Sequence, residues 1–243
     1  MAAHPPSLSD IPLYDKDQPP EPGKDHTQGG LFLVDKPAGW SSFDVVKFLR
    51  GRIGTRKTGH AGTLDPQATG LLVLCAGRAT KSISGIQEMP KCYHAVVQFG
   101  ASTPSQDGTT APDEQALFEH ITRNMIEEMI RLRFTGTIRQ IPPMYSALWK
   151  DGKRLYSYAR KGQVVEREPR EVTIHEVQIL SYEQGVLEMV VRVSKGTYIR
   201  TFAHDLGIAL ESRAYLHDLR RTEIGPYNVA NAMTIERLRQ VFS

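Results

Sequence analysis

An aspartate that does chemistry needs a rigid backbone around it and neighbours that decide its charge, and one stretch of this sequence offers both. The run Gly54-Thr55-Arg56-Lys57-Thr58-Gly59-His60-Ala61-Gly62-Thr63-Leu64-Asp65-Pro66-Gln67-Ala68-Thr69-Gly70 is rich in glycine and feeds directly into the apolar Leu71-Leu72-Val73-Leu74. Asp before Pro is, taken alone, a common turn initiator whose side chain bonds nearby backbone. Here His60 lies five residues earlier, Thr63 stands beside it, and the apolar strand that follows fixes the position of the loop. A carboxylate held in this way is a candidate nucleophile or general base, the more so if an arginine keeps it ionised.

Other chemistries lack their residues. Gly54, four intervening residues and Gly59 resemble the spacing of a phosphate-binding loop, but that motif continues with Lys and then Ser or Thr, and here His60 and Ala61 follow. The sequence has no H-x-E with P-C-x-x-C, the ligand set of zinc deaminases, and no HExxH pair. Cys75 and Cys92 are far apart and belong to no CxxC, which indicates neither a disulfide framework nor a cysteine zinc site and fits a reducing cytoplasm. No metal, nucleotide or other cofactor is expected.

The elements that must position Asp65 can be read from periodicity. Leu31-Phe32-Leu33-Val34 is a short buried-type strand closed by the turn Asp35-Lys36-Pro37-Ala38-Gly39. Ser41 or Ser42 can cap a helix with Val45, Val46 and Leu49 on its apolar face and Asp44 in its first turn. Tyr93, Ala95, Val97 and Phe99 alternate with more polar neighbours, the period of a half-buried strand. Residues 113–134 place Leu117, Ile121 and Met125 at spacing four behind Asp113, which predicts a helix capped by that aspartate. Val172 to Leu180 and Val186 to Val193 read as a hairpin turning at Gly185. After Lys195-Gly196-Thr197, the set Ile199, Phe202, Leu206 and Leu210 predicts a helix with Tyr198 and Arg200 at its mouth. Strands and helices are interspersed and hairpins outnumber βαβ units, so the expected class is α+β with a mixed, mainly antiparallel central sheet flanked by helices and loops.

With 243 residues the chain suits one large domain plus small appendages. Residues 1–29, with prolines at 5, 6, 12, 19, 20 and 22 and no apolar signal-peptide core, are expected to form a flexible tail. No apolar run approaches the roughly 20 residues of a membrane span, and no membrane partner is expected. The 30 Lys and Arg against 27 Asp and Glu give a net charge of only +3. Local grouping says more: Lys47, Arg50, Arg52, Arg56 and Lys57 precede the Asp65 loop, and Lys150, Lys153, Arg154, Arg160 and Lys161 form a second group. Each can be a solvated helix face or a surface for a polyanion.

The stretch from Gly59 to Leu72 matches the pattern G-H-x-G-T-L-D-P-x-A-T-G-L-L and so resembles the TruB-type tRNA pseudouridine synthases. Further matches lie at Leu33 to Gly39, Ile141 to Leu148, Leu155 to Gly162 and Ser194 to Thr201, so that the resemblance covers roughly residues 30–222. It implies a pseudouridine synthase catalytic domain over residues 30–225, with a family-type insertion at about 101–170. Residues 226–243 would then be a short C-terminal extension, including a helix capped by Thr234, with no full C-terminal RNA-binding domain.

What the resemblance implies for the site is specific. Asp65 is the essential aspartate, Arg200 the partner that keeps it charged, and Tyr93 the aromatic that packs on the target base. Tyr198 and Leu219 line the pocket, His60 fills the gap left when the base turns out of the RNA, and Lys36 is a pocket residue close to the loop. On the residues alone, Tyr93 can be a core aromatic, Arg200 a surface ion pair and Leu219 plain core. The implied substrate is uridine 55 in the TΨC stem-loop of tRNA, handled without a cofactor by a chain expected to be monomeric. Asp65 could add to ribose C1′, add to uracil C6, or remove a ribose proton. The chain departs from the family at Thr103-Pro104-Ser105-Gln106-Asp107, where an acidic T-D-T-x-D is common, and at Trp149, where lysine is usual. An RNA-binding module without chemistry and a nucleotide hydrolase are the rival readings.

Overall fold

A computed structural model describes residues 7–243. In chain order they form β1 (Leu13–Tyr14), β2 (Gly30–Lys36), α1 (Ser42–Arg50), β3 (Thr58–His60), β4 (Thr69–Ala76), α2 (Ile83–Glu88) and β5 (Lys91–Phe99). There follow β6 (Ala101–Ser102), β7 (Glu114–Gln115), α3 (Arg123–Arg133), β8 (Gly136–Gln140), β9 (Trp149–Lys150), β10 (Lys153–Arg154) and α4 (Leu155–Ala159). The last part holds β11 (Arg170–Glu183), β12 (Val186–Val193), α5 (Ile199–Ala209), β13 (Ala214–Ile224), β14 (Tyr227–Asn228), β15 (Met233–Thr234) and α6 (Ile235–Val241). Two compact units result, one running up to Tyr93 and resuming at Arg220–Ser243, the other His94–Leu219. The class is α+β, as expected. No helix among the described residues is long and apolar enough to cross a membrane.

In the first unit β2 pairs antiparallel with β4 along its whole length, from Gly30↔Ala76 to Lys36↔Gly70. The other edge of β2 is shared by two parallel partners, β1 at Leu31 and Phe32 and β15 at Val34 and Asp35. On β4, β3 pairs antiparallel, and the end of β13 pairs parallel through Arg220↔Thr69 and Arg221↔Gly70. The sheet of this unit is therefore mixed. Phe32, Val34, Leu72 and Leu74 face α1 and α6, packing on Val45, Val46, Leu49 and Leu238, while Leu31, Leu33, Leu71 and Val73 pack on Ile86 and Ile224. Burial on both faces explains why these strands read as unbroken apolar runs rather than alternating ones.

The expected flexible tail is corrected for its described part. Leu13 and Tyr14 form β1 beside β2, Tyr14 stacks on Phe32 at 4.8 Å, and the buried His26 meets both rings edge-on. The proline-rich composition masked a few apolar anchors, Ile11, Leu13 and Tyr14, that bury enough surface to order the segment. Residues 1–6 lie outside the described residues.

In the second unit β8, β11 and β12 form an antiparallel run. The β11–β12 hairpin turns on Gln184 and Gly185, both at positive φ, as a two-residue turn requires. The helix predicted over 113–134 is shorter. Asp113 does not cap it; Thr122 does, its hydroxyl accepting from the Met125 amide, and α3 buries Ile126 and Ile130 while Leu117 is exposed. Glu114 and Gln115 instead pair with β6. The helices predicted after Tyr198 and after Thr234 are α5 and α6.

Candidate active site

The Asp65 loop is an excursion between two paired strands, since β3 and β4 meet at His60↔Leu74. Three side chains from other parts of the first unit pin it. Ser42, inside α1, accepts from the Leu64 amide at 2.9 Å and donates to the Leu64 carbonyl at 3.2 Å. The neighbouring Ser41 is the helix cap, in a reciprocal capping box with Asp44. Arg221, almost fully buried, donates from Nε to the Leu71 carbonyl (2.8 Å) and from its two terminal nitrogens to the carbonyls of Gly62 (3.1 Å) and Thr63 (3.4 Å). Lys36 is the third: its buried Nζ donates to the carbonyls of Pro37 (2.9 Å), Trp40 (2.6 Å) and Pro66 (3.0 Å). Residues on either side of Asp65 are thus bonded to other elements, and buried Leu64 and Ala68 leave the aspartate itself half-exposed.

The charges follow from this packing. Burial draws the Lys36 ammonium down to about 8, with Asp65 opposing the shift and Arg221 adding to it. Three carbonyl acceptors match the three donors of the protonated form, so near neutral pH Lys36 is a cation beside Asp65. His60 is pushed below its ordinary value by burial first and by the Arg221 charge second, which leaves a neutral imidazole. Its Nδ1 is buried without a partner among the described residues. Tyr93 is buried on β5, at the end of the chain segment belonging to this unit.

The other predicted residues belong to the second unit. Tyr198 is the N-cap of α5, and Gln140 clamps it: the Gln140 side chain accepts from the Tyr198 amide (2.8 Å) and donates to its carbonyl (3.0 Å). Arg200, in the first turn, is buried at 4% exposure. It donates to the carbonyls of Ser105 (2.9 Å) and Tyr145 (2.8 Å) and lies 3.5 Å from the Asp107 carboxylate. The departure segment 103–107 therefore serves to hold this arginine: Ser105 Oγ donates to Asp107 at 2.7 Å, and Gln106, at positive φ, accepts from Thr201 at 2.9 Å. Leu219 is half-buried on β13. The structure so groups Lys36, His60 and Asp65 around one loop, and Tyr198 and Arg200 around one helix start.

Ser42, Arg221 and Gln140 escaped the sequence reading. Two adjacent serines at a helix start gave one hint, because only one can be the cap. Arg221 carried no periodic signal, since the burial along β13 does not alternate. Gln140 carried no signal. Among the described residues no group of three or more His, Cys, Asp or Glu could hold a metal ion, and burial raises the Cys75 thiol to about 12.

Comparison with known proteins accords with this arrangement. The model of the TruB family pseudouridylate synthase N-terminal domain matches residues 50–199, and that of the tRNA pseudouridylate synthase B C-terminal domain matches residues 200–243. The second match begins inside α5 and takes in residues 226–243. The chain is 46% identical over 215 residues to tRNA pseudouridine synthase B of Bordetella parapertussis, covering 86% of each chain. To the protein of that name from Flavobacterium johnsoniae it is 45% identical, covering 87% of this chain and 95% of the relative. Among solved structures, the archaeal box H/ACA sRNP Nop10–Cbf5 complex aligns with TM-score 0.65 and 25% identity over 88% of this chain and 54% of that one. A Cbf5–Nop10–Gar1 complex aligns with TM-score 0.68 and 24% identity over 96% and 59%. This chain thus spans little more than half of those solved chains, and the second likeness speaks for the fold. From identity near one half over most of the length, and family models that together run from residue 50 to residue 243, it follows that the chain belongs to the TruB family of pseudouridylate synthases.

Proposed function

We propose that this protein isomerises uridine to pseudouridine in tRNA, at position 55 of the TΨC loop, with Asp65 as the catalytic carboxylate. The observation that carries the reading is the Asp65 loop, fastened by Ser42, Arg221 and Lys36 so that the backbone on both sides of one half-exposed carboxylate is fixed. The reaction breaks the bond from uracil N1 to ribose C1′, turns the base, and joins C5 to C1′ with loss of the C5 hydrogen. It involves no redox change and no group from outside, so a carboxylate in a shaped site suffices and no cofactor is needed.

The base must first leave its stack, which costs a few kcal/mol. Stacking on Tyr93 and phosphate contacts from the basic clusters offset that cost. In this reading Arg200, presented at the start of α5 by Ser105, Tyr145 and Asp107, keeps Asp65 ionised. Tyr198 and Leu219 shape the base pocket, and the neutral His60 takes the place of the extruded base. The enzyme works as a monomer in the cytoplasm, where Cys75 and Cys92 remain thiols.

The test is tritium release from an unmodified tRNA transcript labelled at uracil C5. Wild type is expected to release it from position 55 and Asp65→Ala to release none. A folded wild type that binds the transcript and releases no tritium would overturn the assignment in favour of RNA binding without chemistry.

A further inference from the structure

The first unit has a second feature, apart from the Asp65 loop. Gly39, Trp40, Asp44, Lys47, Phe48 and Arg52 line an open cleft of about 480 Å³ beside α1. Trp40 and Phe48 each rest partly on the core of this unit and meet edge to face at 5.8 Å. The Arg52 guanidinium lies 3.8 Å above the Phe48 ring and donates to the Phe48 carbonyl at 3.0 Å, so it is held as a flat cationic plate. Lys47 stands exposed on the rim. Asp44, the acid in the lining, is engaged by the amide and hydroxyl of Ser41 at 2.9 and 2.6 Å.

The chain segment that supplies the two cations of this cleft, Lys47 and Arg52, is basic. Lys47, Arg50, Arg52, Arg56 and Lys57 follow one another, and no acidic residue occurs between Asp44 and Asp65. The cleft is also joined to the catalytic loop through the turn that forms its wall. The Trp40 carbonyl accepts from Lys36, and Lys36 and the Gly39 amide both donate to the Pro66 carbonyl, next to Asp65. An aromatic ring and a guanidinium plate, with a lysine at the rim, is the chemistry that receives an unpaired nucleotide: a π-face for the base and cations for its phosphate.

We propose that this cleft binds an unpaired nucleotide of the substrate RNA, its base against Trp40 and the Arg52 plate and its phosphate on Lys47 and Arg52. The inference rests on the RNA-modifying reading above and adds a subsite to it, outside the pocket of the reacting base. A single base on such a platform contributes a measurable share of affinity, and two phosphate contacts on a single strand steepen the fall of log affinity with log salt by about 1.4.

The chain has two tryptophans, Trp40 and Trp149, so Trp149→Phe leaves Trp40 as the sole indole fluorophore. Adding unmodified tRNA transcript to that protein is expected to quench its fluorescence saturably. The double variant Lys47→Gln/Arg52→Gln, built on exposed side chains, is expected to bind about tenfold more weakly, with a lower salt slope. Tight binding with no quench, or a double variant with wild-type affinity and salt slope, would overturn the subsite. Tritium release by wild type on the same transcript separates the two ideas: intact release without quench sinks only the cleft, and quench without release sinks only the isomerisation.

Discussion

Lys36 is a buried ammonium held by three carbonyl acceptors. Replacing it with Met leaves the carbonyls of Pro37, Trp40 and Pro66 without their donor in a buried place, and a loss of roughly 3 kcal/mol is expected in denaturant unfolding. Its pKa in the fold, about 8, lies below the ordinary 10.5, which fixes the sign of a pH effect. Below about 8 the lysine is protonated both folded and unfolded, and the full burial penalty is present. From there towards 10.5 the unfolded chain holds the proton that the fold has given up, so this group's contribution to stability rises with pH. The unfolding free energy of wild type minus that of Lys36→Met should accordingly increase across that window, and a flat difference would refute it. Arg221 is a positioning residue. Arg221→Lys cannot span three carbonyls with one fork, and kcat is expected to fall about 100-fold through misplacement of the loop, with KM moving much less. The sequence showed the carboxylate and, through the family pattern, its companions, but not these fasteners. Ser42, Arg221 and Gln140 act on backbone groups far away in sequence, and no local pattern records such a bond.

Elements built from local signals were legible, and those built from distant pairing were not. The Ser41 cap and the 184–185 turn are set by residues within a few positions of each other, and both were readable. Helix α3 was overextended because Leu117 and Ile121 sit at helical spacing from Met125, although Glu114–Gln115 pair with β6 instead. The join of β4 to β13 was invisible for the same reason. There Gly70 holds φ at +102°, and a Cβ would collide with the Arg221 backbone. Gly70→Ala is expected to cost several kcal/mol and to pull β13 from the catalytic loop, seen as a lowered thermal midpoint together with lost activity. Ser42→Ala is milder, removing two hydrogen bonds worth about 1–2 kcal/mol in all. Thermal melts should rank the two substitutions in that order.

At the scale of the molecule, composition misled about the N-terminus and told little about RNA. With a net charge of only +3, affinity for tRNA must come from local clusters, so binding measured from low to moderate salt should weaken steeply; a flat response would exclude those clusters as the RNA surface. Deleting residues 1–24 removes β1 and strips the cover from Leu31 and Phe32, and differential scanning calorimetry should show a midpoint lowered by several degrees. An unchanged midpoint would mean that the segment packs without stabilising.

The first unit is assembled from the two ends of the described chain, with β15 set against Val34 and Asp35 and the end of β13 against Thr69 and Gly70. On a ribosome those partners emerge only after all of His94–Leu219 has been made. Throughout that interval the nascent protein carries an open sheet edge at Val34 and Asp35, a surface apt to pair with other chains. The yield of soluble enzyme in a cell is therefore expected to depend on how soon translation delivers Arg220–Ser243.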